Sequence, residues 1–144
     1  ILRPHEMEAR FNVRMEQYCT MLQIEAIQML RMAKTGALPA AYDHQKSMAD
    51  AIGASEAVGV EAPDQKAEFE RYVETVQRTH RAVNTLRTAL KGTPHGDDPA
   101  PTGAWLASEV LTAMDELRDC CDTLERRTDE SLWPFPSYHA LLFQ

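Results

Sequence analysis

From Glu8 to Ala33 the chain reads EARFNVRMEQYCTMLQIEAIQMLRMA, and placed on a helical wheel its apolar side chains cover well over half of the circumference. Phe11, Met15, Tyr18, Leu22, Met29 and Ala33 fall near the centre of that arc, with Cys19, Ala26 and Leu30 on one flank and Met21 and Met32 on the other. The polar side, Glu16, Gln17, Thr20, Gln23, Gln28 and Arg31, is narrow and is interrupted by Val13, Ile24 and Ile27. A helix of this kind is covered on several sides, so it is expected to be the element the others pack against. Glu25 projects into the apolar arc. A carboxylate there reads as a buried polar anchor, paired with an arginine or a tyrosine hydroxyl, before it reads as a catalyst.

This first helix reaches about Lys34, where Thr35, Gly36 and Pro39 interrupt it. Proline lacks an amide donor and crowds the preceding turn, so a kink near Pro39 is expected, with the segment from Ala40 to Ile52 continuing the rod. Gly53, Gly59 and Pro63 mark a connection. The next helix is expected from Asp64 as N-cap, with Phe69, Tyr72, Val73, Val76, His80, Val83, Leu86 and Leu90 alternating at three- and four-residue steps. It ends before Gly92, and TPHGDDPAP reads as a surface loop. From Pro101 and Thr102 the same spacing returns through Leu106, Val110, Met114, Leu117, Cys121 and Leu124. No strand-like alternation and no repeat interrupts this pattern. The expectation is an all-α, antiparallel bundle of three to four long helices, the first long and kinked near Pro39, forming a single domain over residues 1–144.

The C-terminal stretch differs in kind. LWPFPSYHALLF places Trp133, Phe135, Tyr138, Leu141, Leu142 and Phe143 within a dozen positions, opened by two prolines that force an extended start. So much apolar surface on a tail either folds back over its own bundle or docks on another domain or subunit. These six residues are the candidate docking or interface residues.

Composition narrows the classes. A chain of 144 residues with 44% hydrophobic and 26% charged residues suits one folded domain, and no apolar run reaches the roughly 20 residues of a membrane span. The net charge of −7 is concentrated after residue 52, where sixteen acidic residues face nine basic ones, and that argues against a nucleic-acid partner. Cys19, Cys120 and Cys121 make no disulfide framework and fit free thiols in a reducing cytoplasm.

Chemistry is hard to place. None of the five histidines has a glutamate three residues before it, which a dinuclear metal site in a bundle would need, and the cysteines lack zinc spacing. No Gly-rich phosphate loop or nucleophile elbow is present. His80 reads as a satisfied core histidine, and His139 as a tail residue able to reach a neighbouring site only in a larger assembly. No catalytic, cofactor-binding or metal-binding residue is assigned.

Read end to end, the first helix with IEA at 24–26, MAK followed by LPA between 32 and 40, and the closing Leu-Trp-Pro-Phe-Pro-x-Tyr with Leu-Leu-Phe resemble the C-terminal helical region of type III glutamine synthetases. The resemblance runs from about Glu8 to Phe143. It implies a piece of a larger ligase that joins ammonia to glutamate with ATP and Mg or Mn and that assembles as a homo-oligomer. The ligands for those groups would lie in an upstream catalytic domain, so none is carried onto this chain. Gly36 departs from the bulkier residue usual in the family. The competing reading is a free-standing helical interaction module, and a third is a ligand-binding bundle with a pocket around Glu25 and His80.

Overall fold

The computed structural model describes residues 3–136, and these form three helical rods in an up, down, up arrangement. The first rod is α1 (Pro4–Met32), a π-helical turn (Ala33–Ala37) and α2 (Leu38–Ala57). The second is α3 (Pro63–Lys91), and the third is α4 (Pro99–Trp105), a second π turn (Leu106–Val110) and α5 (Leu111–Glu125). The expectation of an all-α helical bundle holds. The number of rods settles at three because the pieces on either side of Pro39 are one rod.

Pro4 occupies the first helical position, where its missing amide costs nothing, and the Arg3 N–H donates to Glu6 Oε2 at 2.8 Å. At Pro39 the helix does not stop. The Leu38 N–H reaches back five residues to the Ala33 carbonyl, and this wider turn relieves the crowding between the proline ring and the carbonyl of Thr35. The rod ends in a Schellman turn. Gly59, at φ +80°, is the one residue in the left-handed region among the described residues, and the Val60 N–H closes on the Ser55 carbonyl at 3.0 Å.

Two helix starts differ from the sequence expectation. Ala62, not Asp64, is the N-cap of α3, because Pro63 takes the first helical position and moves Asp64 into the first turn. The third rod starts at Pro99 rather than near Pro101, capped by Asp98, whose Oδ1 accepts from the Ala100 N–H at 2.9 Å.

The core lies where the rods meet. Tyr72, Leu86, Leu106, Val110, Leu117, Cys120 and Leu124 are essentially inaccessible, and Ala26, Ala33 and Ala41 let the first rod approach closely. Buried polar groups are paired with one exception. Tyr72 Oη bonds Thr128 Oγ1 at 2.7 Å, and Thr79 Oγ1 donates to the Thr75 carbonyl at 2.9 Å. Among the described residues, Thr93 Oγ1 alone is buried without a partner. Replacing Thr93 with valine removes that unpaired hydroxyl at nearly constant shape, and the chain is expected to gain up to about 1 kcal/mol in urea denaturation.

The last turns are clasped to α3. Arg127 donates to Glu68 and, at 3.1 Å, to Thr75 Oγ1. The hydrogen bond from Arg127 holds the Glu68 carboxyl below the usual carboxylate range. A carboxylate depressed in the folded state adds stability above its unfolded pKa of about 4.3, and that contribution disappears as pH falls through the folded value. The urea midpoints of the wild type and Glu68→Gln should therefore differ at neutral pH and converge below about pH 4. A gap that persists in acid would rule the clasp out as the cause.

Candidate functional site

The face of α1 that turns away from the core carries large apolar side chains interleaved with Gln17, Thr20, Gln28 and Arg31. Met21, Ile24 and Ile27 are 58–61% exposed, and Met7, Phe11, Val13, Tyr18 and Met32 are also exposed. The core-facing side of the same helix is narrower than the sequence suggested: Cys19, Leu22, Ala26 and Ala33 are buried, with Met15, Met29 and Leu30 partly so. The first helix is thus covered by its own bundle on one side and bare on the others.

Beside this face runs a groove of about 630 Å³ between α1 and α5. Ile24, Met29, Met32, Met114 and Cys121 supply its apolar walls, with Glu25, Arg118 and Asp122 among its polar lining. Trp133, Phe135 and Pro136 close one end. The start of the C-terminal stretch therefore lies on its own bundle. The Trp133 and Phe135 rings meet edge to face, with centroids 5.9 Å apart, and Trp133 packs on the core. The seat is Gly36: a Cβ there would collide with the Phe135 ring, 2.9 Å from Cε2, and would lie 3.2 Å from Pro134 Cγ. Of the six candidate docking residues, Trp133 and Phe135 are placed here, while Tyr138, Leu141, Leu142 and Phe143 lie outside the described residues, as does His139.

Two polar expectations are corrected. Glu25 is exposed at the edge of the groove rather than buried as an anchor. Exposed apolar neighbours had pulled the apparent centre of the arc towards it. His80 is also exposed and does not sit in the core seam, which is filled by Thr79. His80 instead stacks on Tyr42, ring centroids 5.8 Å apart, with Tyr42 Oη bonded to its Nε2. Glu25 and His80 do not share a pocket, which removes the basis for the ligand-binding bundle.

The three cysteines are free, and burial pushes all three thiols up, Cys121 to about 11, so they stay protonated at neutral pH and are poor nucleophiles. Among the described residues no group of three or more His, Cys, Asp or Glu side chains is placed so that it could hold a metal ion. No helix among the described residues is long and apolar enough to cross a membrane. What the arrangement offers is surface: a helix face carrying large apolar side chains, a groove, and aromatic side chains at the groove's end.

Two elements of this site escaped the sequence pattern. Gly36 looked like a helix breaker, and its role as a seat becomes visible only once Phe135 is in place. The Arg127 clasp lies where the apolar pattern fades, and only the nearby acid on α3 could have hinted at it.

Comparison with known proteins finds similarity to glutamine synthetases. Residues 1–56 match the model of the glutamine synthetase C-terminal domain. The chain is similar to type-3 glutamine synthetase of Dictyostelium discoideum, at 28% identity over 99% of this chain and 20% of that protein. It is likewise similar to glutamine synthetase of Bacteroides fragilis (strain YCH46), at 25% identity with the same coverage. The chain therefore spans about a fifth of the length of the curated relatives it matches.

Proposed function

We propose, on the match of residues 1–56 to the glutamine synthetase C-terminal domain and the likeness of the chain to type-3 glutamine synthetase, that this chain is the helical segment of a type-3 enzyme and that its own role is structural. In this reading an upstream catalytic domain of the same polypeptide binds ATP and Mg or Mn and ligates ammonia to glutamate in the cytoplasm, as part of a homo-oligomer. The segment itself supports that domain and the contacts between subunits.

The observation that carries this reading is the set of large apolar side chains exposed along α1, Met21, Ile24 and Ile27 foremost. Met21, Ile24 and Ile27, each about three-fifths exposed on one helix, give the surface more large apolar side chains than a bundle needs for its own core, as a surface covered by another protein would have. The similarity across 99% of the chain to parts of larger synthetases supports a segment of such an enzyme over a free-standing interaction module.

The test is an activity assay on two proteins. The 144-residue chain, supplied with glutamate, ammonia, ATP and Mg²⁺, should form no glutamine. A longer form that includes the upstream sequence should form it. Glutamine made by the chain alone would defeat the structural role, and an upstream sequence without a nucleotide-dependent ligase domain would defeat the enzyme assignment.

A further inference from the structure

We propose that the exposed stripe of α1 pairs antiparallel with the same stripe of a second copy of this chain, about a twofold axis passing between Tyr18 and Met21. This names the partner in the assembly role proposed above and rests on it. The stripe follows a seven-residue period on the side of α1 next to the groove. Met7, Phe11, Arg14, Tyr18, Met21, Glu25, Gln28 and Met32 stand on it at alternating four- and three-residue steps, all eight are exposed, and the twofold sets Phe11 of one copy against Gln28 of the other.

Charge decides the occupant and the direction. Arg14 and Glu25 lie equally far from the midpoint of the stripe, on opposite sides of it, and carry opposite signs. Laid antiparallel on itself, the stripe sets Arg14 of each copy against Glu25 of the other, so the twofold makes two ion pairs. It sets Tyr18 against Met21 at the centre and Met7 against Met32 at the ends, apolar on apolar. A parallel pairing would place arginine on arginine and glutamate on glutamate. Self-complementarity of this kind is what an isologous interface requires, and an unrelated partner would give no reason for it.

The surroundings accommodate a second helix. From Met7 to Met32 the stripe is about 38 Å long, as long as a full bundle helix. Along part of it α4 presents Ala100, Gly103 and Ala104, and the π turn after it Ala107, beside Phe11 and Tyr18; these small residues allow a helix to approach closely. Farther along, the groove between α1 and α5 continues the same trough. No described residue is seen bonded to Arg14 or Glu25, both of which lie at the surface in position for a partner.

The experiment is sedimentation equilibrium of the 144-residue chain across a wide concentration range. The mass should rise with concentration from 16.3 kDa towards twice that value. Arg14→Glu and Glu25→Arg should each weaken the dimer about tenfold, because each places like charges face to face at two symmetry-related points, and the double variant should restore it. Circular dichroism should not distinguish the variants, since both positions are exposed. A chain that stays at 16.3 kDa throughout, or a dimer that ignores the single reversals, or one that the double variant fails to rescue, would overturn the pairing. Mass reads the pairing alone, and glutamine formation reads the enzyme assignment, so either can fail without the other.

Discussion

Replacing Leu117 with alanine should destabilise the chain by about 2–5 kcal/mol, the largest effect expected of any single substitution considered. Leu117 is fully buried near the middle of α5, where that helix packs on α3 alongside Leu86 and Leu124. Removing its isobutyl group forfeits the transfer energy of the lost methyls and leaves a void. The wall around that void belongs to two long helices, which cannot collapse without moving as whole units. Urea denaturation followed by circular dichroism measures the loss. Met21→Ala is the control: with its side chain 58% exposed, it should change monomer stability by less than about 0.5 kcal/mol. Equal losses in the two variants would mean that the rods do not pack as described.

Gly36→Leu should expel the Phe135 ring from its seat. Even a Cβ at this position meets the ring, so a full isobutyl group leaves room for only one of the two. Leucine gains about 1 kcal/mol over glycine in helix propensity, whereas overpacking costs about 1–3 kcal/mol, so the helix is expected to survive and the aromatic contact to yield. The readout is local. Trp133 packs edge to face on Phe135, and its fluorescence should shift towards that of a hydrated indole while far-ultraviolet dichroism stays constant. Trp105, whose indole N–H donates to the Ala89 carbonyl at 2.9 Å, lies elsewhere in the bundle and supplies a constant background. An unchanged spectrum would mean that Phe135 does not rest on Gly36.

The architecture was legible because it is written in periodicity. Tyr72, Val76, Val83 and Leu86 on α3, and Leu106, Val110, Leu117 and Leu124 on the third rod, are buried where three- and four-residue spacing placed them. The misreadings came where polarity and burial part company. Thr79 and His80 fit the α3 spacing equally well, and the polar look of threonine favoured the histidine. Thr79 silences its hydroxyl by bonding back to the Thr75 carbonyl and then packs as an aliphatic residue. Glu25 was misplaced for the opposite reason. A wheel counts apolar residues without asking which partner they serve, and Met21, Ile24 and Met32 widened the arc although the bundle does not cover them. That error is informative, since it separates the face used for folding from the face left bare. The groove and the Phe135 seat were beyond reach, because each joins residues about a hundred positions apart that share no local pattern.

The wide turn at Ala33–Ala37 also sets an angular offset. Compared with a continuous α-helix, it accommodates about one extra residue, roughly 100° of rotation around the axis. Everything beyond it is turned by that amount relative to α1, which is how Leu38, Ala40 and Ala41 come to face inwards and Tyr42 comes to meet His80. The two halves of the rod thus work in different phases. Removing one residue between Ala33 and Ala37 would convert the wide turn into ordinary α-helix and leave α2 on the face of α3, whereas removing one residue from the regular part of α2 would turn everything beyond it by roughly 100°. The wide turn is therefore where this rod can lose a residue and keep both of its faces in place.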